Sequence, residues 1–300
     1  MGCTSKGALI LIFVQILNTL QQILNNDSVH PVFGMIRHLK WQIIRALDLF
    51  PCALRISESH LIADSNTGVA ALINCLGMYD YNNMNLVRSV LLERGGVFLD
   101  IGANIGSYTL VASEAPQAKV ISIEPHPQTF AILKKNILLN KRSNIIALNI
   151  ALSDYDGSLF MTNEAEAALN RIVSNPDDGS FAVPCRSADS LCRELSVKPN
   201  IIKIDVEDFE LTVLHGLVQN LSMAGIILIE NGTKKEIRTL LHAIGFVGPL
   251  YFHFNHMAFL KKSQKRIEDP IYLNPLFIRQ TSKYYFEYEG KMAFAYPSGT

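Results

Sequence analysis

Val97-Phe98-Leu99-Asp100-Ile101-Gly102-Ala103-Asn104-Ile105-Gly106 is the stretch that decides how this chain is read. Its first five residues are apolar except for one carboxylate, the pattern of a strand buried on both faces. Glycines at 102 and 106 then interrupt the pattern. Glycine at a strand end permits a tight turn and lets the backbone approach a ligand closely.

Strand and helix alternate downstream of this loop. Lys119–Glu124 reads as a strand, Gln128–Asn140 as a helix and Asn144–Leu152 as a third strand. Residues 161–182 are polar and contain Asn175-Pro176-Asp177-Asp178-Gly179, which predicts a variable loop. Phe181–Cys185 and Asp189–Leu195 predict a short strand and a short helix. Ile201–Asp205, Phe209–Leu221, Ile226–Glu230 and Lys234–Ile244 then repeat the strand and helix alternation. Past Gly245, the segments Leu250–Phe254, Met257–Lys261 and Tyr272–Ile278 predict antiparallel strands. Such alternation means an α/β fold with a mostly parallel sheet and helices on both faces.

Upstream, Phe13, Ile16, Leu17, Leu20, Ile23 and Leu24 share one face of an amphipathic helix. The apolar run Ala8–Leu17 is about half of the ~20 residues a membrane span needs. This helix is expected to pack on its own domain, with peripheral membrane contact as the alternative. A second helix is predicted around Met35–Leu49, short strands at Ala53–Ile56 and His60–Ala63, and helices at Val69–Leu76 and Asn85–Leu92. The division expected is a helical N-terminal extension over residues 1–78 and a catalytic domain over residues 79–300.

Ligands of such sheets bind beyond the carboxyl ends of the strands. The residues at those ends are Asp100, Glu124, Asp205 and Glu230, all acidic. A dinucleotide wants G-x-G-x-x-G, because its pyrophosphate sits on a bare helix N-terminus. The spacing here is G-x-x-x-G behind Asp100. That suits a cofactor with no phosphate and with an ammonium at one end, S-adenosylmethionine (SAM). Glu124, on the next strand end, is expected to accept from both ribose hydroxyls. Ser153-Asp154, after the third strand, is expected to meet the adenine.

Composition narrows the partners. The 300 residues hold 27 Lys+Arg against 27 Asp+Glu and 49% hydrophobic residues, enough for a full core. Balanced charge without a basic block argues against nucleic acid as a partner. The five cysteines form no C-x-x-C pair, so they read as small buried hydrophobes in a reducing, cytoplasmic setting, and no metal ligand is assigned from them.

Taken together, Val97–Thr109, Ile123-Glu124-Pro125-His126-Pro127, Leu133-Lys134-Lys135-Asn136, Ala151-Leu152-Ser153-Asp154 and Ile202-Lys203-Ile204-Asp205-Val206-Glu207 resemble the FkbM family of SAM-dependent methyltransferases. The resemblance runs from about Tyr79 to about Ile278. It implies a class I methyltransferase fold with a seven-stranded sheet. It also implies methyl transfer to a hydroxyl oxygen of a small-molecule, sugar or glycolipid acceptor. The cofactor-binding residues are then Asp100, Gly102, Asn104, Gly106, Glu124, Ser153 and Asp154. The family pattern after Asp-Val-Glu is Gly, where this chain has Asp208. That departure leaves a catalytically silent SAM-binding protein as one rival reading, and a nicotinamide oxidoreductase is the other.

Methyl transfer to an alcohol requires removal of the hydroxyl proton. Asp205 and Glu207, beyond the strand after the cofactor half, are the candidate catalytic residues. His253 and His256 are alternative bases. A divalent cation held by Asp205, Glu230 and Asn231 is a less favoured route, so metal ligands stay unassigned.

Overall fold

The computed structural model describes residues 23, 29–64, 70–164, 170–173, 179–253, 258–260 and 275–282. Most of the expected Ala8–Leu24 helix and His256 lie outside them. Ile23 is described and fully buried, packed with Cys75 and Leu76.

Helix α1 (Pro31–Ala46) precedes a hairpin of β1 (Cys52–Ile56) and β2 (Ser59–Ala63). Helices α2 (Ala70–Leu76) and α3 (Tyr81–Arg94) lead into the main sheet. Its strands are β3 (Gly96–Ile101), β4 (Ala118–Ile123), β5 (Ile145–Leu148), β10 (Ile201–Ile204), β11 (Ile226–Ile229), β12 (Phe246–His253), β13 (Ala258–Leu260) and β14 (Leu276–Arg279). The order across the sheet is β13-β12-β14-β11-β10-β3-β4-β5. From β11 to β5 every neighbour is parallel, while β14, β12 and β13 pair antiparallel. Among the described residues the sheet is thus eight-stranded rather than seven-stranded. Its count is the sum of the five parallel and three C-terminal strands.

Apolar side chains alternate across this sheet with period two. Phe98, Val120, Ile201 and Leu228 face one core cluster, with α3 and with α4 (Ser107–Ser113) over them. Leu99, Ile121, Ile202 and Ile227 face the other. That second cluster is covered by α6 (Ala188–Glu194), α7 (Glu210–His215) and α9 (Lys235–Ala243). Trp41, Leu54, Ile56 and Ile73 join the first cluster, so the residues before 79 share a core with the sheet.

The third expected strand, Asn144–Leu152, is two strands. Asn149 donates through Nδ2 to the carbonyls of Glu124 and Pro125, 2.8 Å each, and this pulls the chain out of the main sheet. The chain resumes as β6 (Ala151–Ser153) in a second sheet with β7 (Gly157–Met161), β8 (Ile172–Val173) and β9 (Phe181–Ser187). Part of the expected loop over 161–182 is therefore strand. The expected helix Phe209–Leu221 is also divided, into α7 and α8 (Val218–Leu221). Between α4 and β5, α5 (Pro127–Leu139) starts on His126, whose ring accepts from the Thr129 amide, with Pro127 fixing the first turn.

Cys75, Cys185 and Cys192 are buried and unbridged, as the sequence predicts for packing cysteines. Burial pushes the thiols of Cys75 and Cys192 up to about 11, which makes them poor nucleophiles.

Candidate active site

The parallel strands carry their ends to one edge, and the backbone ties those ends together. The amides of Gly102 and Ala103 both donate to the Ile123 carbonyl at 3.0 and 2.9 Å, and the Asp205 amide donates to Ile101 at 3.1 Å. The Glu230 amide reaches the Ile204 carbonyl at 2.9 Å. These bonds align the four strand ends, and the loops after β3, β4 and β10 line a cleft of about 190 Å³.

Gly102 has φ +76°, and a Cβ there would stand 1.8 Å from the Asp205 carbonyl oxygen. No side chain fits, so the glycine is required by the crossing of two strand ends. Gly106, at φ +98°, turns the chain into α4 and packs against Leu133. It does not line the cleft.

Glu124 lines the cleft and is 6% exposed. Its Oε2 accepts from the Asn104 amide and its Oε1 from the His126 amide, both at 2.9 Å. Each oxygen keeps a lone pair for a ligand hydroxyl. Burial pushes this carboxyl up to about 7, and the two amides only partly offset it. Asn104 sits at φ +50°, stabilised by its own Oδ1 accepting from the Ile105 amide at 2.8 Å.

Asp100 is placed differently from expectation. It is fully buried, outside the lining of the cleft, and its Oδ2 accepts from Thr109 Oγ1 at 2.7 Å. Its Oδ1 has no hydrogen bond and faces Lys203 Nζ at 3.8 Å. Asp100 and Lys203 are cross-strand partners in the β3/β10 register, which puts both on one face of the sheet. Burial raises the Asp100 carboxyl, with Lys203 opposing the rise. Asp100 therefore supports the loop from beneath.

Ser153 and Asp154 are not brought to the cleft. Ser153 is buried, with its carbonyl against Gly216, and Asp154 is exposed. The residues that reach the wall there are Ala151 and Leu152, with Met161 and Ile172 of the second sheet. An apolar wall of this kind suits the face of a flat heterocycle.

On the other side of the loop, Asp205 and Glu207 both line the cleft. Asp205 Oδ2 lies 3.0 Å from Lys203 Nζ. Burial draws the Lys203 ammonium down, and Asp205 and Asp100 more than compensate, so its value ends above the ordinary one. One oxygen each of Asp205, Glu207 and Glu230 lies within 4.8 Å of the others. Like charges so close cannot all ionise. Glu230 bears the result: burial first, then Asp205 and Glu207, push it up to about 8, and its Oε2 has no partner. Burial and its acidic neighbours raise Glu207 as well.

This arrangement has a consequence for stability. A Glu230 carboxyl raised in the folded state stabilises fully below its unfolded value of 4.5, and that stability is lost as pH rises toward about 8. Glu230→Gln is expected to be the more stable protein at pH 8, by about 1–2 kcal/mol after allowance for solvent screening. Thermal melts of both proteins between pH 5 and 8 check it (parallel curves refute it).

Asp208 stands at φ +70°, a left-handed position that explains a glycine in the family pattern. Its carboxylate turns away from the cleft to the Lys234 ammonium and is held below its ordinary range by it. The extra side chain does not enter the site.

Several wall residues carry no assignment from the sequence. Lys203 is the clearest, a lysine within the apolar strand Ile201-Ile202-Lys203-Ile204. A buried charge in a central strand must be paired, and that was the available signal. Tyr79 and Tyr108 stack edge to face beside it at 6.4 Å, and the Tyr108 hydroxyl donates to the buried Asp80. Tyr79 and Asp80 precede the motifs, and nothing in local pattern joins them to the loop.

A parallel sheet with a glycine turn after its first strand, and a buried carboxylate ending the next, defines a class I methyltransferase-like fold. The chain belongs to the FkbM methyltransferase family: its residues 100–262 match the methyltransferase FkbM domain. S-adenosylmethionine is the cofactor of that class, and the cleft fits it. Glu124 keeps free lone pairs for a diol, and Gly102 leaves the loop bare.

Among relatives, the chain is 33% identical over 141 residues to hexuronic acid methyltransferase AglP of Haloferax volcanii. That alignment covers 46% of this chain and 56% of AglP, so the chain spans little more than half of that relative. It is 28% identical to methyltransferase 1 of Beauveria bassiana, over 49% of this chain and 71% of the relative. A solved tRNA m1G37 methyltransferase of M. jannaschii aligns with a TM-score of 0.41 and 16% identity, over 76% of this chain and 56% of that one.

Proposed function

We propose that the protein transfers a methyl group from SAM to a hydroxyl oxygen of a sugar or sugar-like acceptor. One observation carries the reading. Asp205, a carboxylate held at 3.0 Å by a buried lysine, lines the same cleft as Glu124 and the glycine loop. When bound, SAM supplies an electrophilic methyl with a neutral thioether leaving group. The residues of this chain orient and deprotonate.

Glu124 and the Asn104 loop hold the ribose end, and the apolar wall of Ala151 and Leu152 takes the base. Asp205 accepts the acceptor hydroxyl proton at Oδ1 or Oδ2, with Lys203 fixing the carboxylate in place. Glu230, raised to about 8, stands neutral beside it and donates to a sugar oxygen. Burial of both tyrosines raises their hydroxyls well above 10, so neither serves as the base. The convergence of Asp205, Glu207 and Glu230 also supports a second reading, in which a divalent cation orients the hydroxyl.

The sugar assignment draws on AglP, whose name specifies a hexuronic acid. The test is release of S-adenosylhomocysteine with a panel of hexuronic acids, neutral hexoses and simple alcohols. Turnover with a sugar and none with the alcohols is expected. Turnover with none of them, alongside tight SAM binding, refutes the enzymatic reading and favours a silent SAM-binding protein.

A further inference from the structure

Helix α1 is packed the unusual way round. Its buried side consists of Gly34, His38 and Trp41. Trp41 stands edge-on to Phe50 at 5.4 Å, and the Arg37 carbonyl accepts from Asn74 at 2.8 Å. The opposite side carries Val32, Phe33, Ile36, Leu39, Ile43 and Leu47, each 49–64% exposed. Val32, Ile36, Leu39, Ile43 and Leu47 are spaced by three or four residues, which makes one continuous stripe. A contiguous apolar stripe left to water marks an interaction surface.

Charge says what covers it. The helix contains Arg37, Lys40 and Arg45 and no acidic residue. All of these cations are exposed, and none has an ion pair among the described residues. Lys40 follows Leu39 at the edge of the stripe, where a long basic side chain can lie along apolar surface and keep its charge in the headgroup layer. An apolar stripe with Lys40 and Arg37 along one edge and no acid within the helix fits an interfacial helix on an anionic bilayer.

We infer that α1 docks the protein onto an anionic lipid surface, with the Val32–Leu47 stripe in the acyl boundary and Lys40 and Arg37, along one edge of it, against the headgroups. This is a different element from the Ala8–Leu24 segment. Docking through α1 does not depend on the acceptor reading. It would hold the cleft near a lipid-borne acceptor.

The test is sedimentation of the full-length protein with phosphatidylcholine vesicles, with and without phosphatidylserine. Binding to the anionic vesicles is expected, weakened about fivefold for each cation lost, since each contributes about that factor near a charged surface. Arg37→Glu with Lys40→Glu should therefore lose well over tenfold in affinity, and Ile36→Glu with Ile43→Glu should abolish sedimentation. All four side chains are exposed, so melting temperature and SAM affinity should stay at wild-type values. Leu39→Gln provides a milder variant with the same expected direction. Four results overturn the inference. They are no sedimentation of the wild-type protein, undiminished binding to anionic vesicles by the charge variant, undiminished binding by the stripe variants, and loss of binding only on substitution within Ala8–Leu17. A dimer in solution that the stripe variants dissociate, with no lipid binding, would assign the stripe to a second copy of the chain.

Discussion

Asp205→Asn is expected to lower kcat by about 10²–10⁴, the range that a positioned general base supplies. The amide keeps the size of the carboxylate and loses its basicity. It also removes one anionic partner of Lys203, which retains Asp100 at 3.8 Å and the Gly102 carbonyl at 3.3 Å. The fold is therefore expected to persist, and SAM affinity to change little, because the residues proposed to hold the ribose and the base, Glu124 with Ala151 and Leu152, lie on the other side of the loop. The loss belongs in kcat, and a loss confined to KM would mean Asp205 only binds the acceptor. Chelation separates the two routes to the proton. With EDTA, turnover persists if Asp205 acts as a base and disappears if a cation bridges Asp205, Glu207 and Glu230. Undiminished turnover by Asp205→Asn would remove this residue from both.

Glu124→Ala is expected to weaken SAM binding by about 1.5–3 kcal/mol, or roughly 10- to 150-fold, the range for hydrogen bonds to a charged group. The same residue makes binding depend on pH. In the free protein Glu124 is raised to about 7, so it is largely protonated in mildly acidic solution. Ribose hydroxyls donate to the carboxylate form. Binding therefore favours the ionised state, and SAM affinity should fall as pH drops below about 7, by up to about tenfold per unit. Glu124→Gln should bind weakly with little pH dependence over the same interval. A wild-type dissociation constant that stays flat from pH 5.5 to 8 contradicts the role given to this carboxylate.

The residues that could be read in the sequence are those whose role is local. Gly102 is dictated by a turn of a few residues, and Glu124 by the end of a single apolar strand. Both stand where the pattern puts them. The position of Asp208 at φ +70° likewise follows from the glycine expected there. What escaped is set by partners distant along the chain. Asp100 and Lys203 face each other because β3 lies beside β10, a register that neither strand encodes alone. That pairing turns Asp100 from a wall residue into a buried support. Ser153 was displaced by Asn149, which bonds the carbonyls of Glu124 and Pro125 and breaks one long apolar run into strands of two sheets. Tyr79 and Asp80 join the site through Tyr108, 28 residues after Asp80. Among the described residues the main sheet has five parallel-run and three antiparallel strands, and Phe181–Cys185, read as one more strand of the run, belongs to the second sheet.

The central claim is that this cleft is a SAM site. Titration calorimetry of the full-length protein tests it most directly, with SAM, S-adenosylhomocysteine and NADH as separate ligands. Saturable one-to-one binding of SAM, competed by S-adenosylhomocysteine and weakened by Glu124→Ala, is the predicted result. Tight binding of NADH with none of SAM would contradict it.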